Sequence, residues 1–331
     1  MDTYALLLDY LLNLSLIQTW PEMQALLKRA VAKKDRNWEL PVPACEAVGG
    51  RTEQAIPAMA AIGCLQISII LIDDLLDSDP RGEYHRIGAP AAANLAAAFQ
   101  ALSLEAIAQS KTEPAAALAA LESLNHTALL TALGQQLDAQ NPSDEAAYWK
   151  VAQMKSSPFC VAAFHTGALL GGAPLELAEK LKRLGEVYGE LIQIYDDLHD
   201  TLAVPADPDW TLGRSPLPIL FAQTVEHPDK ARFLELRRAL VLSAVEGLPD
   251  PQALTEAQAI LIRCGAISYG VHHILRRYEI ARDILREIPL SRRAALEALL
   301  EKQVKPVREL FASLGAAGPK IMRPSVAELA E

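Results

Sequence analysis

Two clusters of aspartate constrain the fold of this chain more than any other feature of its sequence. Each has the pattern Asp-Asp-x-x-Asp and ends a long apolar helical run, one at residues 73–77 and the other at residues 196–200. On a helix, residues four apart share a face, so Asp73 projects with Asp77 and Asp196 projects with Asp200. Carboxylates at a helix C-terminus oppose the helix dipole, and two facing clusters repel each other unless cations lie between them. The pattern therefore predicts two apolar helices whose acidic ends bind cations.

The chemistry of the two clusters favours Mg²⁺. Oxygen ligands with this much negative charge suit a hard divalent cation, and Mg²⁺ usually keeps waters and bridges to substrate phosphates. A di-iron helical bundle is an alternative, because Asp196 and His199 have the carboxylate-x-x-His spacing of that class. That class needs a second such pair, and residues 73–77 contain no His. Solvated helix ends would explain one cluster better than two identical ones. We expect six metal ligands: Asp73, Asp74, Asp77, Asp196, Asp197 and Asp200.

Helical patterns extend along nearly the whole chain, and no segment alternates between apolar and polar residues as a strand does. Hydrophobic residues make up 51 % of the chain and charged residues 22 %, which is enough for a large core. No linker is long enough to separate two domains. We predict an all-α fold, with one helical domain over residues 1–314 and a mobile tail over residues 315–331. Within the domain we expect one continuous helix from Glu145 to Leu170.

The charge and cysteine content exclude several classes of partner. The formal net charge is −10, which makes the chain a poor binder of nucleic acid or of anionic membranes. The apolar run 55–72 nearly reaches transmembrane length, but it contains Pro57 and Gln66 and runs into Asp73, so we expect a buried helix rather than a membrane span. The four cysteines form no Cys-x-x-Cys pair, and the N-terminus has acidic rather than basic residues. We therefore expect a cytoplasmic protein with reduced thiols and no signal peptide.

The order of the motifs resembles that of the trans-isoprenyl diphosphate synthases, which form the polyprenyl synthetase family of class I isoprenoid enzymes. The resemblance runs from about Lys33 to Leu310, and the two clusters above are similar to the family's two aspartate-rich motifs. Gln193 matches the Gln of the family's second motif, Phe-Gln-x-x-Asp-Asp-x-x-Asp. Three further segments match the family in order: Gly134-Gln-Gln-Leu-Asp138, Met154-Lys155-Ser-Ser157 and Gly213-Arg214-Ser-Pro-Leu-Pro218.

The resemblance implies a fold and a set of site residues. It implies one large helical bundle around a central apolar cavity, in a homodimer. It also implies three Mg²⁺ ions, held between the aspartate motifs and an allylic isoprenoid diphosphate. The dry cavity would protect the allylic cation from water. The implied catalytic residues are Asp73, Asp77, Asp196 and Lys155. The implied diphosphate ligands are Lys155, Arg214, Gln193, Lys34 and Arg81.

The sequence departs from the family where isopentenyl diphosphate, the second substrate, is bound. The family's Gly-Gly-Lys-Arg-x-Arg-Pro segment keeps its Lys as Lys34, but Asp35 and Asn37 replace the two Arg residues. Gln66 stands where the family often has His, and the Arg-Arg segment after the first motif is shortened to a single Arg81. Because Asp and Asn cannot replace the charged fork of Arg, these changes weaken a diphosphate site.

Three functions are consistent with this set of motifs. The departures predict a terpene synthase-like enzyme, which ionises the allylic diphosphate and then cyclises, deprotonates or hydrates the cation. The alternative is an E-prenyltransferase, which condenses the allylic diphosphate with isopentenyl diphosphate or another acceptor. A non-catalytic helical partner subunit is the third, and the intact aspartate motifs argue against it.

Overall fold

The computed structural model describes residues 2–245 and 250–313, and this part of the chain is helical with no strand. The prediction of an all-α fold is confirmed, whereas the predicted tail 315–331 lies outside the described residues. The α-helices of this part of the chain, in order, are α1 Thr3–Leu12, α2 Ser15–Gln18, α3 Pro21–Ala32, α4 Pro41–Ala47, α5 Thr52–Asp77, α6 Tyr84–Ile87, α7 Ala89–Ala108, α8 Pro114–Asp138, α9 Glu145–Lys155, α10 Ser157–Leu170, α11 Leu175–Leu202, α12 Pro208–Thr211, α13 Leu217–Thr224, α14 Lys230–Val245, α15 Pro251–Arg263, α16 Ala266–Glu287 and α17 Ala294–Ser313.

Helix α5 runs through the main hydrophobic core and ends in the first aspartate cluster. Met59 and Ile62 in its middle are fully buried, and the helix packs against α1, α4, α7 and α10. By length and composition both α5 and α7 could cross a membrane, but 72 % of the most apolar stretch of α5 is buried inside the bundle, against 44 % for α7. The prediction that the run 55–72 forms a buried helix is confirmed. Ser78 ends α5 in the left-handed conformation, with φ at 53°.

The expected single helix from Glu145 to Leu170 is wrong, because the chain breaks at Ser156. Helix α9 ends at Lys155, and α10 begins at Ser157 with Pro158 in its first turn. Pro has no backbone N–H and its ring clashes with the preceding turn, so it begins a helix more readily than it continues one. The break leaves Lys155 as the last residue of α9.

Close packing between α10 and α11 sets the place of the second aspartate cluster. A Cβ added to Gly189 would lie 2.5 Å from the Cα of Ser157, and one added to Gly185 would lie 2.6 Å from the Cα of Val161. Only glycine allows the two helices to approach so closely. Helix α11 continues past these contacts and carries residues 196–200 beyond the start of α10.

A second, smaller core supports the segment between α11 and α13. It is formed by buried side chains of α12 to α15, with Trp210 and Phe233 fully buried and their ring centroids 6.2 Å apart. Trp210 also donates a hydrogen bond from Nε1 to the backbone oxygen of Thr201, at 3.0 Å. The segment that follows the second aspartate cluster is thus packed against the bundle.

Candidate active site

The C-terminal ends of α5 and α11 face each other across a cleft of about 570 Å³, which we call the acidic cleft. The ends of α8 and α9 and the segment 207–216 complete its walls. It brings together most of the residues predicted from the sequence: Asp73, Asp77, Lys155, Gln193, Asp196, Asp197, Asp200, Arg214 and Arg81. A larger groove of about 910 Å³, near Leu6, Ile56 and Leu169, contains none of them.

The first aspartate cluster divides between the cleft and a neighbouring loop. Asp73 and Asp77 line the cleft, and Arg214 forms an ion pair with Asp77. Oδ1 of Asp73 is buried without a hydrogen-bond partner in the described structure. Burial raises the pKa of Asp73, which the nearby Lys155 partly opposes. Asp74 lies outside the cleft lining, where burial raises its pKa and the backbone N–H of Glu83 opposes that rise.

The second aspartate cluster contains one carboxylate with a structural role. Asp197 is 5 % exposed and accepts hydrogen bonds from Nε2 of Gln193 and from the backbone N–H of Leu217, both at 2.7 Å. The bond from Leu217 ties α11 to the start of α13. Burial nevertheless raises the pKa of Asp197 to about 6. Burial also raises the pKa of Asp196 to about 7, and the negative charges of Asp200 and Asp197 add to the rise.

Lys155 lies between carboxylates of two different helices. Its Nζ is 2.6 Å from Oδ2 of Asp138 at the end of α8 and 3.6 Å from Oδ1 of Asp73 on α5. Burial alone would lower the pKa of Lys155, but Asp138 and Asp73 raise it overall, so the ammonium stays charged. A Cβ on Gly134 would lie 2.4 Å from the backbone N of Lys155, so a glycine at this position lets α9 reach α8.

The three other predicted diphosphate ligands differ in their surroundings. Gln193 accepts a hydrogen bond from Oγ of Ser156 and donates one to Asp197, so both ends of its amide have protein partners. Arg81 is at the mouth of the cleft, 70 % exposed, with Nη2 2.8 Å from Oδ2 of Asp79. Lys34, which was implied as a ligand, does not line the cleft, and its Nζ lies 2.9 Å from Oδ2 of Asp2 instead.

The residues that depart from the family pattern are clustered on one side of the cleft. Asn37 and Gln66 both line it. Nε2 of Gln66 donates a hydrogen bond to Oδ2 of Asp35 at 3.2 Å, while Oε1 of Gln66 is buried with no partner among the described residues. The family's Arg and His positions are thus occupied here by a carboxylate hydrogen-bonded to an amide.

Besides Asp79, which follows the first aspartate cluster, three acidic residues that were assigned no role from the sequence line the cleft. Asp207 and Asp209 reach it from the segment after α11, and Asp138 reaches it from the end of α8. Burial raises the pKa of Asp209 to about 7, and the charge of Asp207 adds to that rise. Asp138 is the last residue of the segment Gly134-Gln-Gln-Leu-Asp138, and this motif could have identified it as a residue of the cleft. Nothing in the local sequence marked the other two.

The donor set of the cleft fits Mg²⁺ ions shared with a bound diphosphate. Within residues 2–245 and 250–313, no three acidic, His or Cys side chains converge to hold an ion by themselves. Mg²⁺ is usually held by one or two carboxylates, waters and substrate phosphates, so it does not need such a cage. Asp73, whose Oδ1 makes no hydrogen bond, and Asp196, which lies near the negative charges of Asp200 and Asp197, supply such carboxylates from opposite sides of the cleft.

Comparisons with known proteins contradict the terpene synthase-like prediction. The chain is 32 % identical over 180 residues to a geranylgeranyl diphosphate synthase of Methanosarcina mazei, covering 52 % of this chain and 54 % of that one. It is 31 % identical over 175 residues to a nonaprenyl diphosphate synthase of Mycobacterium tuberculosis, covering 50 % of each. The matches thus span about half the length of these relatives. Their names favour the alternative, a prenyltransferase, so the prediction of cyclisation or water capture is wrong.

The fold and the family agree with the resemblance seen in the sequence. A decaprenyl diphosphate synthase of Rhodobacter capsulatus has the same fold, with a TM-score of 0.75 and 20 % identity over 92 % of this chain and 95 % of that one. The family model described as polyprenyl synthetase matches residues 32–239, which include both aspartate clusters, Lys155 and Arg214. The chain therefore belongs to the polyprenyl synthetase family.

Proposed function

We propose that this protein is a Mg²⁺-dependent prenyltransferase, which ionises an allylic isoprenoid diphosphate and joins its hydrocarbon chain to isopentenyl diphosphate or another acceptor. One observation carries the proposal. The acidic cleft places carboxylates of α5 and α11 on opposite walls, with Lys155 and Arg214 beside them and apolar side chains next to them. Its relatives of known name are synthases of prenyl diphosphates.

The cations of the cleft would stabilise the leaving group. When the allylic carbon–oxygen bond breaks, the bond electrons pass to the departing diphosphate, whose negative charge increases. Lys155 and Arg214 already lie in the cleft, each next to a carboxylate. Their contacts with the diphosphate would strengthen as this charge develops, which lowers the barrier. Bound Mg²⁺, which we expect as three ions, would supply further positive charge to the same group.

An apolar wall continues from the acidic residues. Ile69, Phe159 and Ile192 line the cleft beside the carboxylates. Such a wall would bind the hydrocarbon part of the allylic substrate and keep water away from the cation after ionisation. The same wall leaves the cation free to react with the acceptor.

The acceptor would bind on the side of Asn37 and Gln66. The amide of Gln66 offers an Oε1 without a hydrogen-bond partner, and Arg81 at the mouth offers a guanidinium whose charge is partly offset by Asp79. This arrangement has fewer cations than the family's segment, so we expect weak binding of the acceptor diphosphate rather than none.

A homodimer through α7 and α8 is the arrangement that we propose for the molecule. Three large apolar side chains of α8 are exposed, Leu118 by 58 %, Leu129 by 64 % and Leu133 by 47 %. The neighbouring α7 contains one charged residue, Glu105. Two copies that each carry ten excess negative charges repel least where their surfaces are nearly uncharged.

A product assay tests the proposed function. The protein is incubated with Mg²⁺ and allylic diphosphates of ten, fifteen or twenty carbons, with and without isopentenyl diphosphate, and the products are analysed. We expect a longer prenyl diphosphate only when both substrates are present. Release of a hydrocarbon or alcohol from the allylic substrate alone, with no elongation in the mixture, would refute the proposal.

A further inference from the structure

We propose that Arg237, on α14 and outside the acidic cleft, is a positioning residue that holds the backbone of segment 209–214 and thereby fixes Arg214 and Asp209 in the cleft. The inference rests on the proposed function, because it gives Arg237 a part in diphosphate binding through Arg214. No motif of the sequence singles this residue out.

The guanidinium of Arg237 spans both ends of the segment. Nη1 donates to the backbone oxygens of Asp209 at 3.3 Å and Trp210 at 3.5 Å, and Nη2 donates to the backbone oxygen of Arg214. The guanidinium carbon lies 5.7 Å from the centre of the Trp210 ring. A planar group with donors in fixed directions can hold several carbonyls at once, which an ammonium cannot.

Packing alone does not explain why the guanidinium of Arg237 is buried. Arg237 is 5 % exposed, and in the described part of the chain no carboxylate lies within ion-pair distance of it. Burial lowers its pKa to about 10, which still leaves it charged at neutral pH. A buried charge is costly and an apolar side chain would fill the space at least as well. The carbonyl contacts are what Arg supplies at this position and an apolar residue does not.

The backbone of segment 209–214 contains a glycine, so its conformation depends on contacts with the rest of the fold. Gly213 precedes Arg214 with φ at +71°, a conformation that other residues rarely adopt. Asn141 holds the oxygen of Gly213 through Nδ2 at 2.9 Å, and Trp210 is anchored to Thr201. The backbone N–H of Arg214 also donates to the oxygen of Asp209 at 2.9 Å, and Arg237 reinforces this turn by binding the oxygens of both residues from α14. Its removal would leave the oxygens of Trp210 and Arg214 without their donor from α14 and would loosen the backbone that carries the Arg214 guanidinium.

The first test compares Arg237→Lys with Arg238→Lys, an exposed neighbour on the same helix. We expect Arg237→Lys to raise the KM for the allylic diphosphate, and the Kd for inorganic diphosphate with Mg²⁺, on the order of 10- to 100-fold. The KM for isopentenyl diphosphate should change little, and the control should keep wild-type constants. Arg237→Gln, which removes the buried charge and so burdens folding less, is expected to show the same selective rise.

A double-mutant cycle separates positioning from a merely structural role. If Arg237 acts through Arg214, Arg237→Lys should add almost nothing in the Arg214→Ala background. Independent, multiplicative losses in the double variant would overturn the inference, as would wild-type KM and Kd values in folded Arg237→Lys and Arg237→Gln. A wild-type protein that neither binds Mg²⁺ with diphosphate nor elongates a substrate would instead refute the proposed function, and this inference with it.

Discussion

At the scale of single residues, the cations of the acidic cleft are paired with carboxylates of the protein. Lys155 lies between Asp138 and Asp73, and Arg214 is paired with Asp77. Each pair joins two different elements of the fold. Removing one partner therefore leaves a half-buried charge of the opposite sign, which is more harmful than losing the contact itself.

Lys155→Ala should lower kcat/KM for the allylic diphosphate on the order of 100-fold, through both a higher KM and a lower kcat. The variant loses the ammonium that would contact the diphosphate. The diphosphate would then be repelled by the carboxylates of Asp138 and Asp73. Steady-state kinetics measure the effect, with Lys150→Ala, an exposed residue of the same helix, as the control. Equal constants for the two variants would show that Lys155 is not a diphosphate ligand.

Asp196→Asn should abolish turnover and stabilise the metal-free protein at neutral pH. The pKa of Asp196 is raised to about 7 in the fold, from 3.8, so the folded protein holds a proton that the unfolded chain has released. The free energy of unfolding of the metal-free protein should therefore fall as pH rises from about 4 to about 7. In the variant, the free energy of unfolding should not show this part of the decrease with pH. At pH 8 it should exceed the wild-type value by on the order of 1 kcal/mol.

Thermal unfolding in excess chelator, at several pH values, measures this difference. Glu186→Gln, an exposed carboxylate of the same helix, is the matched control and should follow the wild type. A variant whose unfolding keeps the full pH dependence of the wild type would contradict the prediction. Undiminished turnover in the variant would contradict the role of Asp196 in binding the metal.

At the scale of helices, the site depends on how closely α8 and α9 approach. Gly134 permits this approach, and the break at Ser156 then leaves Lys155 pointing at the end of α8. The position of Lys155 thus depends on a glycine that lies 21 positions before it in the chain. Neither feature is visible from the pattern of apolar residues along α9.

Gly134→Ala should destabilise the protein by about 1–3 kcal/mol, because the new methyl group would lie 2.4 Å from the backbone of Lys155. The shift of α9 should also raise the KM for the allylic diphosphate in the protein that remains folded. Chemical unfolding and kinetics measure the two effects. Ala132→Ser, at an exposed position of the same helix, should be neutral to within about 0.5 kcal/mol. Wild-type stability for Gly134→Ala would contradict the close contact.

The fold was predictable from the sequence largely because its signals are local. Helix content and the burial of α5 follow from apolar runs and from the absence of alternation. The aspartate spacing correctly placed Asp73, Asp77, Asp196 and Asp200 at one cleft. Asp209 was missed because its segment reaches the cleft only through packing on α14, which has no counterpart in local sequence.

The function was wrongly predicted because single substitutions were given too much weight. Asp35, Asn37 and Gln66 do lie together, as their motif positions required. These residues carry less positive charge than the Arg and His residues of the family. That difference was interpreted as the loss of isopentenyl diphosphate as a substrate. Similarity over half the chain to synthases of prenyl diphosphates contradicts that interpretation.

At the scale of the whole molecule, the exposed apolar face of α7 and α8 predicts self-association. Leu129→Glu should convert a dimer to a monomer, because a carboxylate buried at the two-fold interface has no partner there. Sedimentation velocity measures the change. Leu242→Glu, on the 66 % exposed Leu242 of α14, is the control and should stay dimeric. A monomeric wild-type protein at micromolar concentration would contradict the proposed homodimer.

Under the proposed function, the ion pairs of the acidic cleft also couple the binding of the metal ions to that of the diphosphate. Mg²⁺ arriving alone finds Asp77 already matched with Arg214, and a diphosphate arriving alone meets the carboxylates of α5 and α11. Each ligand therefore gains affinity from the other by the same factor, as thermodynamic reciprocity demands. Under the proposed function, we therefore expect the cleft to bind Mg²⁺ and diphosphate together more tightly than either one alone.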